Sequence, residues 1–165
     1  MPEKETLDRA RKDKRQGKAP STQAGEFVRE EMDHIREGKH GARSTKQAIA
    51  IGLSKARRAG VDLPAPKRGS AKMKAQAKRD SAKGKRSPGK TPSATRSRAT
   101  EKALQREGRS AASRSSLSRQ ARTSARTRGH ANRSQAARRA VVTKGRLGLR
   151  RAARKAARTR ASRRG

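Results

Sequence analysis

The residues of this sequence best equipped for chemistry are its arginines and lysines, 48 of 165, and their chemistry is the pairing of fixed cations with phosphate. They stand in three groups. Toward the C-terminus Arg138, Arg139, Arg150, Arg151, Arg154, Lys155 and Arg158 are interleaved with alanine. In mid-chain Lys85, Arg86 and Lys90 flank a Ser87-Pro88 step. Nearer the N-terminus Lys39 and Arg43 precede a helix start at Ser44, Lys46 lies in its first turn, and Arg57 and Arg58 close it. The free N–H groups and positive dipole end of a helix N-terminus suit a phosphate. These fifteen side chains are the expected nucleic-acid-binding residues.

Other chemistry finds little support. With no cysteine there is no thiolate metal site, disulfide or sulfur nucleophile. His34 and His40 beside Asp33 and Glu37 match no defined zinc spacing and read as polar helix surface. Serines are abundant, but no Gly-x-Ser-x-Gly elbow, Ser-x-x-Lys pair or phosphate-cradling Gly-x-x-x-x-Gly-Lys loop occurs. The expectation is a non-enzymatic chain with no catalytic residues, metal, cofactor or small-molecule substrate.

Charge is unevenly placed. Residues 1–66 hold 15 basic and 10 acidic side chains, a net +5, whereas residues 67–165 hold 33 and 3, a net +30. The step falls at Leu63-Pro64-Ala65-Pro66, where two prolines bar a continuing helix. The chain has only 18 apolar side chains larger than alanine and neither Trp nor Tyr. A composition so charged and so poor in bulky apolar groups reads as substantially disordered. The longest apolar run, Ala48 to Leu53, is far too short to span a bilayer, and the polar N-terminus does not read as a secretory signal.

The elements that would carry the basic groups follow from local pattern. Ser21 or Thr22 can cap a helix running to Glu37 and stopped by Gly38 or Gly41, with Ala24, Phe27, Val28, Met32 and Ile35 on one face. Glu31 projects near the middle of that face and, if buried, calls for an arginine partner. Ser44-Thr45-Lys46-Gln47 is a capping box opening a second helix, with Ala48, Ile49, Gly52, Leu53 and Ala56 in one stripe. Gly60 would stop it, and Val61 and Leu63 would fold back. The expected fold is a small all-α helical hairpin followed by a largely disordered Ala/Arg/Ser-rich tail with induced helix potential. Its segments are a mixed-charge arm (1–20), an αα-hairpin (21–66) made marginal by its few apolar groups and helped by self-association or by a ligand, a Lys-rich flexible linker (67–95) and a nucleic-acid-binding tail (96–165).

The run Val28-Arg-Glu-Glu-Met-Asp-His-Ile-Arg-Glu-Gly-Lys-His-Gly-Ala-Arg-Ser-Thr-Lys-Gln-Ala-Ile-Ala-Ile-Gly-Leu-Ser-Lys-Ala-Arg-Arg-Ala-Gly60 resembles a small bacterial domain family of unknown function. The likeness covers residues 20–66. That family occurs in short basic proteins and is sometimes assigned to DNA binding, which implies a bacterial cytoplasmic protein. In composition the tail resembles those of linker histones and bacterial histone-like proteins, through Ser87-Pro88-Gly89-Lys90 and Ala152-Ala-Arg-Lys-Ala-Ala-Arg158. It departs from them in favouring arginine, with 20 Arg to 3 Lys from residue 91 onward.

Cations that displace condensed counterions bind duplex backbone without reading bases, so the expected partner is nucleic acid, duplex DNA before structured RNA, at the nucleoid. The alternatives are an RNA-binding or ribosome-associated protein, and an interaction hairpin whose tail supplies localisation. The lack of Trp and Tyr argues against single-strand stacking. The scarcity of bulky apolar groups argues against stable membrane insertion.

Overall fold

A computed structural model describes residues 2–87 and 93–162 of the chain. The described residues form six α-helices and one 3-10 turn: α1 (Lys4–Arg15), α2 (Pro20–Glu37), α3 (Thr45–Arg58), α4 (Ala71–Arg86), α5 (Ala94–Gln105), the turn Ser110–Ala112, and α6 (Arg114–Ala161). The chain divides into two compact units, Met1–Gln120 and Ala121–Gly165.

The first unit is built on α2 and α3. Helix α2 starts one residue before the expected serine, with Pro20 at its first position and no side-chain cap. Proline's fixed φ and missing N–H make it a ready first residue. Gly38, left-handed at φ 80°, ends the helix. Ser44 caps α3 by accepting the Gln47 N–H (3.2 Å), while Gln47 reaches back to the N–H of Arg43 (3.1 Å). The two helices run antiparallel and meet at Gly52, where a Cβ would lie 2.7 Å from the Val28 Cα and 3.0 Å from the Phe27 carbonyl oxygen. Glycine at this crossing lets the two backbones touch.

Two apolar clusters flank that crossing. Met32, Ile35, Ala42 and Ala48 pack with Ala111 and Ala112, joined by Val28, Ile49 and Leu117. Phe27, Ala24, Ala56 and Val61 pack with Ala10, joined by Leu7, Leu53 and Leu63. Val61 and Leu63 do fold back over the end of α3, the Val61 N–H reaching the Ala56 carbonyl (3.1 Å). Glu31 is fully buried. Its charge partners are Lys55 (2.7 Å) and His40 (3.4 Å), not an arginine.

Further elements of the chain cover the hairpin. Within the mixed-charge residues 1–20, α1 lies along α2 with Thr6, Ala10 and Asp13 buried. Arg9 clamps it to Glu26 at 2.7 Å. Residues 71–86 are not a flexible linker but a helix packed on α3. Ser70 caps α4 by accepting the Met73 N–H (3.2 Å). Its buried Asp80 accepts from the Ser54 hydroxyl (2.6 Å), Arg58 Nε (2.8 Å) and Gln76 (3.0 Å). Gly84 abuts the Arg57 carbonyl so closely that a Cβ would overlap it. Residues 104–117 close over the α2–α3 turn. The Gly41 and Ala42 N–H groups reach the carbonyls of Leu104 (2.9 Å) and Gly108 (3.1 Å), and the Thr45 hydroxyl reaches that of Ala111 (2.7 Å).

The expected disordered tail is overturned most clearly at α6. No residue of this helix is fully buried; its first turn meets the first cluster through the half-buried Leu117, but burial does not hold the exposed length that follows. Alanine and arginine rank among the strongest helix formers, and the last proline of the chain is Pro92. Like charges four residues apart cost only a few tenths of a kcal/mol each, less than propensity and closed hydrogen bonds return over three turns. Breaks occur only where glycine permits them. Gly129 (φ 74°, ψ 170°) and Gly145 (φ 62°, ψ 175°) interrupt α6 with backbone other residues rarely adopt. Arg133 reaches back across the first break and donates to the Ala125 carbonyl (3.0 Å).

Two expected outcomes test this fold. Gly52→Ala overpacks the crossing and costs about 1–3 kcal/mol, read as a lower urea midpoint at unchanged slope. Because repulsion among α6 cations is screened by salt, adding sodium chloride to the nucleic-acid-free protein deepens its helical circular-dichroism signal at 222 nm; a signal of random coil, indifferent to salt, would contradict a preformed α6.

Candidate nucleic-acid interface

Fifteen basic residues share one sequence signature, yet folding sorts them into two populations. The first is consumed internally. Arg57 is buried, 8 % exposed, and its guanidinium donates to the carbonyls of Leu63 (3.3 Å), Pro64 (3.1 Å) and Leu53 (3.5 Å). Burial pulls it below the usual arginine value, with Asp80 pulling partly back. It ties the 61–64 loop to α3 and is closed to phosphate. Arg58 is held by Asp80 at 2.8 Å. Lys39 lies between Glu37 (3.0 Å) and Glu3 (3.1 Å), and these two contacts raise its ammonium above the ordinary lysine value. Reciprocally, His34 and then Lys39 hold the exposed Glu3 carboxyl below its usual range.

The anticipated phosphate cradle ahead of α3 is likewise occupied. Gly41 and Ala42 lie buried under residues 104–112, and the Ser44 and Gln47 side chains already engage N–H groups at the helix start. Arg43 and Lys46 remain exposed. Lys85 and Arg86 are exposed at the end of α4, with Lys85 only 3.8 Å from a similarly exposed Asp62. Lys90, with the Ser-Pro-Gly-Lys turn around it, lies outside the described residues.

The second population is the exposed one, and beyond Arg43, Lys46, Lys85 and Arg86 it stands on α6. Arg138, Arg139, Arg150, Arg151, Arg154, Lys155 and Arg158 are all exposed. The helix carries 16 basic side chains and no acidic one, and among the described residues no ion pair engages any of them. Arg150, Arg154 and Arg158 do follow each other turn by turn, with Arg151 and Lys155 alongside. Arg146 extends that row by one turn, and Arg122 and Arg126 make a similar pair in the first stretch of α6; the sequence reading passed over both. Their signal was the same four-residue spacing, hidden in a segment read as coil. Also missed was Asp80, one of only three acidic residues after position 66; an isolated carboxylate in so basic a stretch marks a contact.

Residues 11–68 match a family of unknown function (DUF6496). The match takes in the end of α1, all of α2 and α3, and the loop toward α4, and so contains the resemblance noted at residues 20–66. It carries no assigned activity, bacterial origin or histone-like kinship, and α6 lies outside it. No curated protein and no solved structure matches the chain. Among the described residues no helix is long and apolar enough to cross a membrane.

Sorting the cations has a measurable consequence. Arg57→Ala removes the hydrogen bonds that tie the 61–64 loop to α3 and costs about 1–3 kcal/mol of stability, while the salt dependence of nucleic-acid binding stays unchanged. Arg150→Ala with Arg154→Ala does the reverse: the salt slope becomes shallower by about 2, and the urea midpoint of the 1–120 unit is preserved.

Proposed function

We propose that this chain is a non-enzymatic protein that binds duplex DNA through the phosphate backbone, largely without regard to sequence, and acts at the nucleoid as a compacting or tethering factor. The observation that carries this reading is the composition of α6: every cation is exposed and none has a carboxylate partner within the helix. Residues 121–165 hold 16 basic and no acidic side chains, and residues 1–120 hold 32 basic and 13 acidic. The C-terminal unit therefore offers its whole charge to an outside polyanion, whereas much of the N-terminal charge is answered within the fold.

Helical presentation sets the arginines at fixed intervals along a rod. Arginine pairs two-pronged with phosphate oxygens and can enter a narrow minor groove. Such contacts give position rather than base selection. Ten phosphates neutralised at once give a slope of log affinity against log salt of about −9. The same chemistry would take structured RNA, and the lack of tryptophan and tyrosine disfavours stacking on single strands.

A salt-series gel shift on duplex DNA, with the full chain and with a chain ending at Gln120, tests the proposal. The full chain gives a slope near −9 and the shortened one a slope less than half as steep. Binding indifferent to salt, or undiminished by the truncation, overturns it. Competition by ribosomal RNA at matched phosphate concentration separates the partners, and a ten-fold preference for the RNA would transfer the assignment to it.

A further inference from the structure

The α2–α3 turn gathers side chains that phosphate binding does not use. Glu31 is fully buried, and among the described residues neither of its carboxylate oxygens receives an aligned hydrogen bond. Lys55 Nζ approaches Oε2 to 2.7 Å and His40 Nε2 approaches Oε1 to 3.4 Å, so both act as charge contacts set off the hydrogen-bonding direction. Glu30, 3 % exposed, has its Oε1 3.5 Å from the same ammonium and equally without a hydrogen bond. One lysine thus answers two buried carboxylates. Glu30 has a hydrogen bond only at its other oxygen, from the Glu3 N–H (3.0 Å), whereas both oxygens of Glu31 are buried without one, and leaving buried polar atoms so is expensive.

The two histidines are oriented as ligands are. His40 Nδ1 donates to the Gly41 carbonyl (3.1 Å), which in the neutral ring leaves Nε2 bare and facing Glu31. His34 Nε2 donates to Glu3 Oε1 (2.8 Å). A carbonyl or carboxylate holding one ring nitrogen is the arrangement by which proteins aim the other at a metal. One ligand atom from each of Glu31, His34 and His40 lies within 4.8 Å of the other two. Tetrahedral zinc, with bonds of about 2.0–2.1 Å, needs ligand separations near 3.4 Å, a closure that side-chain rotation can supply. Both imidazoles are 13 % exposed, so an ion has a way in.

We propose that Glu31, His34 and His40 bind a divalent transition-metal ion of the zinc class, with Glu3 orienting His34 and a water completing the shell. Imidazole and carboxylate donors favour zinc and its neighbours over calcium or magnesium, which prefer all-oxygen sites. The set differs from the one weighed in the sequence. Asp33 is engaged by Arg36 (3.1 Å) and Glu37 by Lys39 (3.0 Å), while Glu31, eleven positions upstream of Ala42, turns inward to face the histidines. A net charge of +35 repels stray cations, so stoichiometric uptake by this chain would report a specific negative site. The ion would fasten three separate pieces: the residue before α1, helix α2, and the turn leading to α3.

Titrating the metal-free full-length protein with Co²⁺ alone is the test. One ion per chain is expected, with the visible absorption of tetrahedral cobalt and two exchangeable imidazole N–H resonances shifted by the paramagnetic ion; added Zn²⁺ abolishes the absorption. His34→Gln and His40→Gln each weaken Co²⁺ binding at least ten-fold, whereas His130→Gln, on α6, leaves it unchanged. Absence of saturable one-to-one binding by the wild type overturns the proposal. So does binding that survives in the His34→Gln/His40→Gln double variant. The resonance count on wild-type protein decides the matter even if a variant fails to fold.

Discussion

The shortage of carboxylates governs this molecule. Thirteen acidic side chains confront 48 basic ones, and all thirteen precede residue 108. Among the described residues, every one except Glu101 and Glu107 stands within ion-pair distance of a cation. Several of those pairs join separate elements: Arg9 with Glu26, Lys55 with Glu30 and Glu31, Arg58 with Asp80. Where acids are available, helices can be drawn together despite the large positive excess. Beyond residue 120, where acids are lacking, the described residues keep their backbone order with none of them buried.

The two units accordingly owe their order to different physics. In residues 1–120 small side chains allow close approach: alanines fill much of both clusters, and glycines stand where backbones meet at Gly52, Gly41 and Gly84. Dense packing of short side chains replaces the bulky aliphatic core that the composition lacks. In α6 the stabilising term is local, the backbone hydrogen bond reinforced by alanine and arginine propensity, with threonine hydroxyls of residues 127, 143 and 159 bonding back one turn. Binding chemistry follows the same division, since a cation without an internal partner remains open to an external one.

Local features were legible in the sequence. The Ser44–Gln47 box, the stop at Gly38, the glycine crossing at Gly52 and the apolar residues of α2 and α3 could each be read from a few neighbouring residues. What escaped was long-range. Nothing near Gly41 announces that residues 104–112 will cover it, and nothing near Arg57 shows that three carbonyls will take its guanidinium. The reading of α6 failed for another reason. Scarcity of bulky apolar residues shows that a segment cannot build a core, but not that its helix must wait for a partner to induce it. Alanine and arginine separate those two statements.

The interruptions of α6 at Gly129 and Gly145 carry a geometric consequence. At 1.5 Å per residue, the stretches 130–144 and 146–161 are rods of about 22–24 Å, each shorter than one turn of B-form duplex. A long straight rod laid against a cylinder departs along a tangent, so that its distal charges hang in solvent. On the proposed duplex, short rods joined by glycine elbows would instead be laid down piece by piece, each keeping its guanidiniums within reach of a curving backbone.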